Sequence, residues 1–242
     1  MSKGINGVWR RRLARALVHA GAGLADVLYP PRCVGCGNGI RANEQPLCKP
    51  CMASLERVDA GELAIHVRTN VPAFAAESVF ALWMFDKGGA LQRAQHLLKY
   101  GQRPAFGRVL GEAITAGWRG FCDAVPDLIV PIPLHRTRYL ERGYNQSLAL
   151  AEGIGRALGV PVRAHAIRRR QATKRQTGLN REARQANVAG AFVAVPEYVA
   201  GRKLILVDDV ITTGATASAA VDALKTSGAE RVDFVALAHA RT

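Results

Sequence analysis

The sequence has no apolar run approaching about 18 residues, the length a membrane-spanning helix needs, so the chain is expected not to cross a bilayer. It is short of acid: 19 Asp and Glu stand against 33 Lys and Arg, a formal net charge of +14. That imbalance favours polyanionic partners, either nucleic acid or phosphorylated ligands, without distinguishing between them. Aromatics make up only 6%, too few for an extended base-stacking surface. There is no internal repeat, no low-complexity tract and no recognisable helix-turn-helix. The apolar stretch Leu13 to Leu28 is interrupted by His19 and Asp26 and lacks a clear small-x-small cleavage site, which argues against a signal peptide. The protein is therefore expected in the cytoplasm, where thiols stay reduced. What remains is a 242-residue chain that is 49% hydrophobic. That suffices for one large domain, or a small and a medium one, with a sizeable core.

Residues 1–28 place Leu13, Ala16, Leu17, Ala20 and Leu24 at helical spacing behind Trp9-Arg10-Arg11-Arg12. They read as a basic amphipathic helix packed on the rest of the protein. A basic arm touching DNA or membrane is the other use of that pattern. Residues 29–56 hold Cys33-Val34-Gly35-Cys36 and, eleven residues on, Cys48-Lys49-Pro50-Cys51. Two Cys-x-x-Cys knuckles supply four thiolates for a tetrahedral zinc. Disulfides suit a reducing cytoplasm poorly, and paired spacing is not what isolated core cysteines show. With Cys33, Cys36, Cys48 and Cys51 as ligands no position stays open, so the zinc is structural. Cys122 has no partner motif and reads as a free thiol.

Beyond a connector at 55–76, residues 77–242 alternate strand and helix, which indicates an α/β domain with a mainly parallel sheet flanked by helices. Strands are expected at 77–85, 127–130, 160–162, 191–195, 204–207 and 231–238. Helices are expected at 90–100, from about 104 to 117, up to about 158, at 180–187, and from 215 to about 225. Ligands in such sheets sit at the carboxyl ends of strands, and two strand-loop-helix stretches are candidates. In Leu204-Ile205-Leu206-Val207-Asp208-Asp209-Val210-Ile211-Thr212-Thr213-Gly214-Ala215-Thr216, the helix start offers free N–H groups to a phosphate. Gly214 allows close approach, and Thr212, Thr213 and Thr216 add hydroxyls. Asp208 and Asp209 would repel a phosphate. As acceptor-only groups they suit sugar hydroxyls, directly or through a hydrated cation. A phosphate beside a polyol describes a ribose 5-phosphate. The second stretch, Pro131 to Gln146, is basic where the first is acidic. Arg136, Arg138 and Arg142 can fork onto phosphate oxygens, and a plain basic surface loop is the simpler alternative. Residues 168–179, with Arg168, Arg169, Arg170, Lys174 and Arg175, have no apolar period and read as a mobile loop or a solvated charge run.

Val207 to Thr216 resembles the phosphoribosyl pyrophosphate (PRPP) signature of type I phosphoribosyltransferases. The resemblance implies that Asp208 and Asp209 hold the ribose hydroxyls and that Thr212, Thr213, Gly214, Ala215 and Thr216 hold the 5-phosphate. It also implies that the loop with Pro133, His135, Arg136 and Arg138 binds pyrophosphate. Arg142 with Lys174 or Arg175, from a loop that closes over the substrate, would assist pyrophosphate departure, and magnesium would accompany PRPP. Purine-salvage members often carry an acid where this chain has Thr212, which weakens that assignment; orotate-type members have threonine there. A four-cysteine knuckle, then Pro-Ile-Pro-Leu-His with Arg-Gly-Tyr-Asn-Gln, then Asn187-Val188-Ala189-Gly190-Ala191-Phe192, together resemble the ComF (ComFC) family. That implies a role in natural competence and uptake of single-stranded transforming DNA, with competence proteins as partners. A non-catalytic single-stranded-DNA-binding protein on the same fold is the competing expectation, with Trp9, Tyr139 and Tyr144 available for stacking.

Overall fold

A computed structural model describes residues 31–40, 45–101, 103–118, 125–170 and 190–241. The expected N-terminal helix, Cys122, Lys174, Arg175 and the helix at 180–187 lie outside those residues. Four strands form one parallel sheet: β1 (Ser78–Met84), β2 (Leu128–Pro131), β5 (Lys203–Ile211) and β6 (Arg231–His239), in the order β1-β6-β5-β2. Buried strand runs such as Leu204 to Val207 and Val232 to Ala238 are what a sheet covered on both faces requires.

The covering helices follow the sequence periodicity closely. They are α3 (Ala90–Tyr100), α4 (Pro104–Trp118), α6 (Gln146–Leu158) and α8 (Ala215–Thr226). Helices α4 and α6 pack through glycines. A Cβ on Gly111 would lie 2.1 Å from the Leu150 carbonyl oxygen, and one on Gly153 would lie 1.9 Å from that of Arg108. No side chain fits there, so this contact fixes how α6 lies on the sheet. One core cluster joins these helices to Cys33, Leu47 and Leu55 of the cysteine region.

The structure departs from the sequence reading at five places. The connector holds a helix, α2 (Ala60–Asn70), started by Asp59, whose side chain accepts from the Glu62 N–H at 2.9 Å. The basic stretch contains a short helix, α5 (Arg136–Arg142), closed by left-handed Gly143. Strand β5 does not stop at Val207; it runs through both acids to Ile211, because pairing with β6 continues from Asp208↔Ala236 to Ile211↔His239. Residues 160–162 give only a single bridge, Ile129↔Val162. Arg168 and Arg169 are in strand rather than loop: β3 (Ile167–Arg169) pairs antiparallel with β4 (Phe192–Ala194) as a separate two-stranded sheet. Two short helices, α1 (Lys49–Ala53) and α7 (Pro196–Val199), complete the described elements. None of the described helices is long and apolar enough to cross a membrane.

Candidate functional site

The carboxyl ends of β2 and β5 meet at a cavity of about 1110 Å³. From the β2 side it is walled by Pro133, His135, Arg138 and Arg142, and from the β5 side by Asp208, Asp209, Thr212 and Thr216. The two stretches singled out in the sequence thus face one space. Arg136 is exposed and outside the cavity wall. Thr213, Gly214 and Ala215 form the turn into α8, where Gly214 takes φ 87°, a conformation that favours glycine.

The acids are held individually. Asp208 Oδ1 accepts from Ser147 Oγ at 2.9 Å and from the Asp209 N–H at 2.8 Å. Burial, then the charge of Asp209, raises the Asp208 carboxyl to about 7, against the pull of those two donors. Asp209 is paired with Lys99 of α3 at 3.1 Å. One acid therefore holds its proton readily, and the other lies against an ammonium.

The basic side is arranged differently. Arg142 is buried, at 7% exposure. Its Nη1 donates to Gln146 Oε1 at 2.8 Å, its guanidinium lies 5.8 Å from the Tyr100 ring centroid, and its Nε has no partner. Gln146 Nε2 is buried without a partner as well. Among the described residues no carboxylate pairs with Arg142. A buried cation lacking a counter-ion is costly, and an anion in the cavity removes that cost. Asn145 ties the two sides together: its Nδ2 donates to the Ile132 carbonyl at 2.9 Å, and its Oδ1 accepts from the Ser147 N–H at 3.0 Å. That N-cap starts α6 and places Ser147 on Asp208.

Sequence reasoning missed several contributors. Lys99 and Gln95 lie one turn apart on α3, and both line the cavity; nothing in their spacing distinguishes them from solvated helix positions. Arg169 also lines the cavity, although it was read as part of a loop. His66 of α2 donates from Nε2 to the Thr212 carbonyl at 2.9 Å, and Val67 lies behind Gly214. The unrecognised helix thus backs the phosphate-type loop.

The second centre is the cysteine cluster. The sulfurs of Cys33, Cys36, Cys48 and Cys51 all lie within 4.8 Å of one another, with Cys36 and Cys48 Sγ 3.7 Å apart. Ligands at about 2.3 Å in a tetrahedron stand about 3.8 Å apart, so the donors fit zinc. Burial would raise the Cys33 thiol, but the N–H groups of Cys48, Cys36 and Gly35 outweigh it and lower it to about 6. The neighbouring thiols of Cys48, Cys36 and Cys33 push Cys51 up to about 12. Four thiolates this close repel unless a cation sits among them.

Comparison with known proteins agrees with this division. The family model described as "Phosphoribosyl transferase domain" matches residues 145–242, and "Double zinc ribbon domain" matches residues 24–62. Between Cys33 and Cys51 this chain has one four-cysteine set, enough for a single zinc. "Competence protein F" of Haemophilus influenzae is 26% identical over 86% of this chain and 97% of its own length. "DNA utilization protein YhgH" of Escherichia coli K12 is 34% identical over 57% of this chain and 62% of its own length. Among solved structures, the glutamine PRPP amidotransferase of B. subtilis aligns with a TM-score of 0.40 at 20% identity, over 57% of this chain and 30% of that one. A fit that loose adds nothing to the argument.

The parallel sheet, the strand-end cavity and the cysteine cluster define a phosphoribosyltransferase-like protein with an N-terminal zinc ribbon. That order of modules, and a relative matched along nearly its whole length, fit the resemblance to the ComF family.

Proposed function

We propose that the cavity binds PRPP with magnesium and that the protein serves competence or DNA utilisation, as its relatives' names indicate for them. The observation that carries this reading is the joining, in one cavity, of an acid pair to a buried arginine that has no counter-ion among the described residues. Asp208 and Asp209 accept hydrogen bonds from the ribose hydroxyls. The first N–H groups of α8, with the hydroxyls of Thr212, Thr213 and Thr216, hold the 5-phosphate. Arg142 and Arg138, with the loop at Pro133 and His135, hold the pyrophosphate. Magnesium, when bound with PRPP, neutralises part of the pyrophosphate charge.

In transfer, the bond between C1 and the pyrophosphate oxygen breaks and its electron pair leaves with pyrophosphate. The lone pair of an acceptor nitrogen forms the new bond to C1, and that nitrogen gives up its proton to solvent. The ribose carries positive charge between these events. Arg142 stabilises the departing anion. Lys174 and Arg175 belong to the same proposal as cations brought over the leaving group.

Calorimetric titration with PRPP and magnesium tests this reading. The wild type should bind with a Kd in the micromolar range, and Asp208→Asn with Asp209→Asn should abolish the heat. No binding by the wild type would overturn the reading. The alternative is a single-stranded-DNA-binding role, supported by the exposed Arg168, Arg169 and Arg170, of which Arg169 lines the cavity. It predicts an affinity that falls steeply with salt and is lost when those three are neutralised.

A further inference from the structure

Helix α3 touches both centres. At its N-terminal end, Arg93 donates from Nε to the Val34 carbonyl at 2.6 Å and from Nη2 to the Gly35 carbonyl at 3.3 Å. Val34 and Gly35 are the two residues between Cys33 and Cys36, the first pair of zinc ligands. At its C-terminal end, Lys99 Nζ lies 3.1 Å from Asp209 Oδ2. Six residues of helix separate the two clasps, about 9 Å along the axis.

The helix between them is rigidly set. The Asp86 carboxylate accepts from the Leu91 and Gln92 N–H groups at 3.1 and 2.9 Å. Arg93 Nη1 also donates to the Gly88 carbonyl at 2.8 Å. Leu91, Ala94 and Leu98 are fully buried in the cluster that contains Cys33 and Leu47. Helix α3 is thus clasped to the first knuckle at one end, and at the other it carries the only described cation within salt-bridge distance of Asp209.

We propose that Lys99 is a positioning residue for the acid pair and that the zinc ribbon sets its place through Arg93 and α3, so that zinc occupancy and PRPP binding are coupled. This rests on the PRPP reading above. It assigns the ribbon a regulatory part in the same site. Coupling between two ligands is reciprocal: if bound zinc raises the affinity for PRPP, bound PRPP must raise the affinity for zinc by the same factor.

The test uses the full-length, zinc-loaded protein. Zinc affinity is measured at equilibrium by competition with a metal-chelating dye, with and without saturating PRPP and magnesium, while calorimetry measures PRPP binding on the same samples. In the wild type PRPP should raise the zinc affinity about tenfold. Arg93→Ala should retain zinc and bind PRPP about tenfold more weakly, and PRPP should no longer raise its zinc affinity. Lys99→Met should lose the coupling in the same way, and Lys99→Arg should restore most of it, an outcome that a merely structural role would not give. Wild-type protein that binds PRPP with zinc affinity unchanged would overturn the coupling and leave the PRPP reading intact. Wild-type protein that does not bind PRPP would overturn both.

Discussion

The ribbon and the cavity solve the same electrostatic problem in opposite ways. Each crowds like charges. In the ribbon, four sulfurs lie within 4.8 Å of one another, and the protein around them offers mainly backbone N–H groups to Cys33. As four thiolates, that set is neutralised by a metal cation. In the cavity, two adjacent carboxylates are neutralised from within, one by Lys99 and one by a proton on a raised carboxyl. Arg142, which also walls the cavity, pairs with no acid among the described residues. A site built to be permanently filled needs its ligand to fold. A site built to exchange its ligand must stand without it, and must leave some charge unsatisfied to attract it.

The comparison breaks most visibly if a ribbon ligand is removed. Cys48→Ser should release the zinc and cost about 3–5 kcal/mol, since structural zinc contributes folding free energy outright. For a chain of this size that lowers Tm by about 10 °C, readable by scanning calorimetry alongside zinc content. The opposite balance is expected in the cavity. Asp208→Asn with Asp209→Asn should cost PRPP at least about 100-fold in affinity, while Tm stays nearly level, because a buried raised carboxyl and a buried ion pair contribute little net stability. Arg142→Met should weaken pyrophosphate binding by about tenfold, and its effect on stability should stay within about 1 kcal/mol, because burying the guanidinium costs what its hydrogen bond to Gln146 returns.

The smallest effect is with pH. Asp208 is raised to about 7 by burial and then by the charge of Asp209. A carboxyl raised in the folded state contributes stability at low pH that is lost as pH climbs through about 7. PRPP binding runs the other way, since the ribose hydroxyls need the ionised acceptor. Between pH 6.5 and 8 affinity should rise about fourfold, and Asp208→Asn should flatten that profile.

The elements were legible where one periodicity dominates. Helices α3, α4, α6 and α8 and strands β1 and β6 lie where their apolar spacing put them. The two strand-end loops were identified from charge and glycine placement, and the cysteines from spacing alone. What was not legible depends on partners distant in sequence. Strand β5 continues through Asp208 and Asp209 because β6 supplies the hydrogen bonds, which no local pattern shows. Helix α2 was hidden by an unremarkable polar composition, and its relevance rests on His66 reaching Thr212, 146 positions away. Lys99 looks like any exposed lysine until Asp209 is beside it. Arg142 was visible as a cation, but its burial without a counter-ion among the described residues is a fact of packing.

The central claim is that one cavity joins an acidic half for the sugar to a basic half for the leaving group. It is tested most directly by measuring the affinities of ribose 5-phosphate, pyrophosphate and PRPP, each with magnesium, for the wild type, the Asp208→Asn Asp209→Asn variant and Arg142→Met. The acid variant should lose ribose 5-phosphate and keep pyrophosphate, Arg142→Met should do the reverse, and both should weaken PRPP. If either variant weakens both fragments equally, or leaves PRPP unchanged, the two halves do not divide the ligand and the claim fails.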